Sequence, residues 1–241
     1  MAIRWKRLTK PRFIFVYPVF AALFTTAHIT EVSLRVGVAL IVLGEVIRFW
    51  ANGYVGLVKV NSARQHGKVG RLVTVGPYAF VRHPLYLGTL LIGAGFCLAV
   101  NSLWVGAAAL IGFLASYHHK MSQEETLLLQ EVPEYAGYHA AVPRLLPRLR
   151  PYPHGHGIWS WKAVAVSKEY KTAIWLVIVA ISLYLWEESV QEGKWLFAER
   201  PAYRAFLCGL VVALAVAEGV IELLSRQRAA RGRASGSAVA Q

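Results

Sequence analysis

Long apolar stretches alternate along this chain with short polar ones. Residues 13–29, 32–54, 85–100, 103–117, 172–186 and 205–224 are runs in which charged side chains are scarce. A hydrocarbon core of about 30 Å needs ~20 helical residues to cross it, so the pattern predicts an all-α, polytopic integral membrane protein with about six transmembrane helices. The third and fourth runs are short and separated only by Asn101 and Ser102. That spacing predicts a tight helical hairpin.

Composition supports the same class, with 56% hydrophobic and 16% charged residues in 241. The net charge of +13 raises the question of nucleic acid, but the basic residues flank apolar runs instead of forming one stripe on a soluble fold. Anionic lipid headgroups are the counter-charge this arrangement suits, and no nucleic-acid partner is expected. Lysine and arginine gather before the first run (Arg4, Lys6, Arg7, Lys10, Arg12), after the second (Lys59, Arg64, Lys68, Arg71, Arg82) and after the fourth (Lys120, Arg144, Arg148, Arg150). They recur in the tail at Arg226, Arg228, Arg231 and Arg233, whereas in 187–204 Glu187, Glu188, Glu192 and Glu199 outnumber Lys194, Arg200 and Arg204. By the positive-inside rule both termini are cytoplasmic. The chain then divides into N-terminal membrane helices (1–54), a core (55–150), a C-terminal helical pair (151–227) and a disordered basic tail (228–241). Cys97 and Cys208 fall inside apolar runs without metal-ligand or CxxC spacing, and no metal site is expected.

The polar residues able to do chemistry concentrate in the second and fourth basic segments, on one face of the membrane. In GPYAFVRHPLYLG a proline follows Arg82 and His83. Proline disfavours helical geometry in the residue before it and suits the first helical position, so a helix starts sharply at Pro84. The N–H groups of Leu85, Tyr86 and Leu87 then lack intrahelical acceptors, and the terminus attracts a carboxylate or phosphate. Arg82 adds to that attraction, and Tyr78 and Tyr86 offer aromatic faces to a cation or a flat ring. In QEETLLL, Glu124 and Glu125 are expected to open an amphipathic helix just past the fourth run, where they can accept from hydroxyls or an ammonium. His118, His119 and Lys120 stand beside them. In EYAGYHAAVPRLLPRLRP, Tyr135 and Tyr138 share a helix face that Pro143 and Pro147 end, leaving Arg144 and Arg148 near the headgroups. Each element alone fits an interfacial belt of anchors equally well.

Together and in this order, the three elements resemble the isoprenylcysteine carboxyl methyltransferase family and its phospholipid methyltransferase relatives. The likeness covers LVTVGPYAFVRHPLYLG, an apolar hairpin, EETLLL and EYAGYHAAVPRLLP, with GEVIRFWANGY upstream also similar to bacterial members. It implies a membrane-embedded methyltransferase that takes S-adenosylmethionine from the cytoplasm and a lipid-like or other membrane-soluble small-molecule acceptor from the bilayer. It further implies that Leu72, Val73, Tyr78, His83, Pro84, Leu85 and Tyr86 wrap the cofactor, with Glu124 or Glu125 helping to hold it. Arg82, His118, Glu124, Glu125 and Arg144 are the candidates for the reacting centre. Family members resembling the eukaryotic enzymes carry an arginine shortly before the paired glutamates to hold a carboxylate. Here that region reads YHHKMSQEE, so the acceptor stays open between a prenylcysteine-like carboxylate and a phospholipid amine. Two rival classes are a lipid or sterol reductase using NADPH, which resembles the same scaffold, and a non-catalytic transporter or scaffold.

Overall fold

A computed structural model describes residues 28–55, 72–167, 169–186 and 201–238, all helical or irregular with no strand among them. The helices are α1 (Glu31–Val55), α2 (Pro84–Val100), α3 (Leu103–Glu131), α4 (Tyr135–Ala141), α5 (Trp161–Ser167), α6 (Glu169–Trp186) and α7 (Pro201–Ala238), with a 3-10 turn at Gly76–Ala79. The chain forms two compact units, Met1–Glu169 and Tyr170–Gln241.

In the first unit α1 opens with a reciprocal cap. Ser33 N–H donates to Thr30 Oγ1 at 3.1 Å and Thr30 N–H to Ser33 Oγ at 2.9 Å, pairing donors that a helix start leaves unsatisfied. The α1 and α2 backbones then approach closely. A Cβ at Gly37 would lie 2.4 Å from the Gly95 carbonyl oxygen, and one at Gly44 2.5 Å from that of Gly88. The glycines repeat every seven residues on both helices, so one seam runs the length of the contact. Asn101 closes α2 in the left-handed conformation (φ 53°, ψ 33°), with its N–H on the Cys97 and Leu98 carbonyls. Asparagine tolerates that geometry, and the expected hairpin forms on Asn101 and Ser102.

One expectation needs correction. Glu124 and Glu125 do not open a helix: α3 runs unbroken from Leu103 to Glu131, because YHHKMSQ contains no glycine or proline to stop it. It ends where Pro133 forces Val132 into an extended conformation (φ −125°). Helix α7 extends through Ala238, into the run 228–241 expected as a basic tail. Among the described residues, two of the expected spans form helices long and apolar enough to cross a membrane by length and composition, over 169–186 and 201–221. α2 has only 17 residues, and α1 carries Glu31, Arg35, Glu45 and Arg48. The expected first span (through residue 27), the basic residues of the N-terminus and of 56–71, and 187–200 lie outside the described residues.

The irregular run 74–83 is fastened along 143–156. Thr74 N–H donates to His156 O (2.9 Å), Tyr152 N–H to Ala79 O (2.9 Å), Arg148 N–H to Phe80 O (3.0 Å) and Arg82 N–H to Pro143 O (2.9 Å). This zipper brings the two polar segments together at the start of α2. In the second unit, Lys171 of α6 pairs with Glu218 of α7 at 3.2 Å.

Candidate functional site

Pro84 is the first residue of α2, and His83 before it (φ −123°, ψ 63°) makes no side-chain cap. The terminus is narrower than expected. Leu87 N–H already donates to the His83 carbonyl at 3.0 Å, as the fourth helical position must, so the open amides are those of Leu85 and Tyr86. The His83 N–H is spent on Arg144 O at 3.2 Å.

One turn of α3 faces this terminus with two adjacent carboxylates. Glu125 is 3% exposed and is surrounded by cations. His83 Nε2 donates to its Oε1 at 2.8 Å, Arg144 Nε reaches the same oxygen at 3.2 Å while Arg144 NH2 takes Oε2, and Arg82 NH2 lies 3.3 Å and His139 Nε2 3.6 Å away. Burial by itself would raise its pKa. The hydrogen bonds from His83 and Arg144, with the charges of His83 and Arg82, outweigh burial and hold it at about 2. Glu125 therefore pins α2, α3 and the segment after α4 to one point. Arg82 completes the pin by donating from NH1 to His139 O at 2.9 Å, and its Nε is buried without an acceptor.

Glu124 is different. It is half-buried, accepts from Tyr86 OH at 2.7 Å, and pairs with no cation among the described residues. Around it aromatic rings form a wall: Tyr86 meets Tyr117 edge-on at 4.8 Å, and Tyr117 meets Phe113 at 4.1 Å. Lys120 Nζ stands 5.3 Å from the Tyr86 ring. Burial pushes the Tyr78 phenol above its ordinary range, and Tyr138 and Glu124 push the same way. The Tyr78 phenol thus stays protonated. The result is a half-buried carboxylate among aromatic faces, hydrogen-bonded to the side chain of Tyr86, which carries one of the two free amides.

Residues 32–132 match the phospholipid methyltransferase family. Two curated proteins are also similar. The cobalt-zinc-cadmium resistance protein CzcN of Cupriavidus metallidurans is 28% identical over 64% of this chain and 66% of its own. The nickel-cobalt-cadmium resistance protein NccN of Alcaligenes xylosoxydans xylosoxydans is 31% identical over 50% of this chain and 53% of its own. The chain thus spans about two thirds and about half the length of these relatives. No solved structure matches it.

The phospholipid methyltransferase match agrees with the resemblance read from the motifs, and it ends before α4, so Arg144 and His139 reach the site from beyond the matched segment. The structure brings Arg82, His83, Pro84, Leu85, Tyr86, Glu124, Glu125 and Arg144 together at one helix start. His118 joins at its edge, where Arg144 NH1 donates to His118 Nδ1 at 3.2 Å. A guanidinium has no acceptor, so the imidazole proton resides on Nε2. Leu72 packs against the buried cluster of Tyr135, Tyr138 and Val142, while Val73 lies under Gly157. Tyr78 is held through its backbone, its carbonyl accepting from Tyr138 OH at 2.7 Å. Sequence reasoning missed His139 and the strap 152–157. Gly155 and Gly157 of that strap were the available signal, since a Cβ at either would fall within 3 Å of Val75.

Proposed function

We propose that the chain is an integral membrane methyltransferase that uses S-adenosylmethionine and methylates a lipophilic acceptor at the cytoplasmic boundary of the bilayer. The observation that carries this reading is the pairing of an open helix start at Leu85 and Tyr86 with the cation-free carboxylate of Glu124, inside a segment that matches a methyltransferase family. The donor sets fit the cofactor: free amides at a helix terminus suit its carboxylate, Glu124 suits its ammonium or ribose hydroxyls, and the rings of Tyr78 and Tyr86 suit its sulfonium. When bound, S-adenosylmethionine supplies an electrophilic methyl group.

This chain's own residues then have three tasks. The amides of Leu85 and Tyr86, with Glu124, orient the donor. Glu125, through His83, Arg82 and Arg144, keeps that helix start fixed, so orientation is set before binding and not at its expense. The wall of Phe113, Tyr117 and Tyr86 excludes water and gives an apolar acceptor a lateral surface from the bilayer. An acceptor carboxylate would find the Nε2–H of His118 as a donor. An acceptor amine would find Glu124.

Calorimetry of S-adenosylhomocysteine with the detergent-solubilised chain tests the cofactor, with saturable binding expected. Tritiated methyl incorporation into membrane lipids, set against NADPH oxidation by the same preparation, tests the reaction. NADPH oxidation without methyl transfer would replace this reading with the reductase.

A further inference from the structure

A second buried charge cluster lies in the first unit, on the side of α2 that faces α1. Arg48 donates from Nε to Glu169 Oε1 at 2.5 Å, and its NH2 also reaches Oε1 at 2.5 Å. Asn52 Nδ2 donates to the other oxygen of Glu169 at 3.0 Å and to the Arg48 carbonyl at 2.9 Å. The third arm of Arg48, NH1, donates to Thr89 Oγ1 of α2. Gly88 makes room for this reach, since a Cβ there would lie 2.5 Å from Arg48 Cγ. Glu45, one turn before Arg48 on α1, is the other carboxylate within its reach. That contact exists at 3.7 Å, but Glu45 Oε2 is buried with no hydrogen bond.

The direction of the protons gives the cluster a consequence. Because a guanidinium can only donate, Thr89 Oγ1 accepts from Arg48, and its own O–H goes to the Leu85 carbonyl at 2.8 Å. Leu85 lies in the first turn of α2 and carries one of the open amides. A threonine hydroxyl that bonds back four residues bends a helix slightly, and here an outside cation holds it in that arrangement. Glu169 takes two nitrogens of Arg48 and so leaves NH1 aimed at Thr89. Without Glu169 the guanidinium has Glu45 as its other nearby carboxylate, on α1 itself at 3.7 Å.

We propose that Glu169, which lies outside the matched segment 32–132, acts through Arg48 and Thr89 as a positioning residue for the donor-binding turn of α2. The proposal rests on the reading of that turn as the S-adenosylmethionine site. The test is calorimetry of S-adenosylhomocysteine with the full detergent-solubilised chain, with melting followed in parallel. Thr89→Val keeps the side-chain shape and removes the relay, and is expected to weaken binding about fivefold, the weight of one hydrogen bond. Thr89→Ser restores the hydroxyl and is expected to bind as wild type. Glu169→Gln should weaken binding by a similar factor, and Glu45→Gln should leave it unchanged. Wild-type affinity in both Thr89→Val and Glu169→Gln would overturn the relay, as would equal weakening by Thr89→Ser and Thr89→Val, which would point to packing alone. Failure of wild type to bind would overturn the cofactor reading itself, and the relay with it.

Discussion

Glu124 and Glu125 are neighbours of identical chemistry on one helix, yet the fold treats them oppositely. Glu125 faces the start of α2 and the segment after α4, where two arginines and two histidines converge on it. Glu124, 100° further round α3, faces Tyr86 and the aromatic wall and, among the described residues, accepts from a single phenol. A carboxylate whose lone pairs are filled by protein cations is a fastener. One left with an unmatched charge at an opening can receive a ligand. The lesson is that a pair of acids in a motif need not share a role, and the count of cations within reach separates them.

The largest expected effect tests the fastener. Glu125→Ala leaves Arg82, His83 and Arg144 buried or half-buried around a missing charge, and breaking a buried pair in this way costs about 3–5 kcal/mol. Thermal melting in detergent should show a large loss of stability, whereas a Glu125→Ala protein that melts like wild type would remove the distinction between the two acids.

A pH series sharpens the same point. Glu125 drops from its ordinary 4.5 to about 2 in the folded protein, so the unfolded chain binds its proton more readily. Its stabilisation is complete above 4.5 and is lost as pH falls from there toward 2. The stability gap between wild type and Glu125→Gln should therefore narrow across that window. A gap constant down to low pH would mean that Glu125 is not held ionised.

A smaller effect is expected on the open side. Glu124→Gln should move stability by no more than about 0.5 kcal/mol but weaken S-adenosylhomocysteine by roughly tenfold, as for a hydrogen bond to a charged group. Tyr86→Phe removes only the donor that orients Glu124 and should weaken binding about threefold, within the range of one neutral hydrogen bond. Calorimetry alongside melting separates the two quantities, and the comparison fails if both substitutions act on stability alone.

Much of the site was legible before any coordinates. Proline at position 84 dictates a sharp helix start whatever surrounds it, because the ring fixes its own φ and restricts the residue before it. The same local rule ends α3 and α4 before Pro133 and Pro143. The hairpin at Asn101 and Ser102, the all-helical class and the convergence of the two basic segments followed from apolar run lengths and residue type. The partners of each charge did not follow. Nothing in the spacing of QEETLLL says which glutamate meets Arg144, and the break expected before it required a helix stop that the sequence does not contain.

An arginine at position 48 in an apolar run does announce a buried partner. That the partner is Glu169, 121 residues away, depends on how α1, α2 and the start of α6 pack. Local chemistry acts over a few residues through sterics and backbone hydrogen bonds, so the sequence alone determined the starts and stops that proline and asparagine set, at Pro84, Asn101, Pro133 and Pro143. Electrostatic partnership acts through space at a few ångströms. Only the tertiary structure could decide that one glutamate of the pair is consumed in holding the fold and the other is left open.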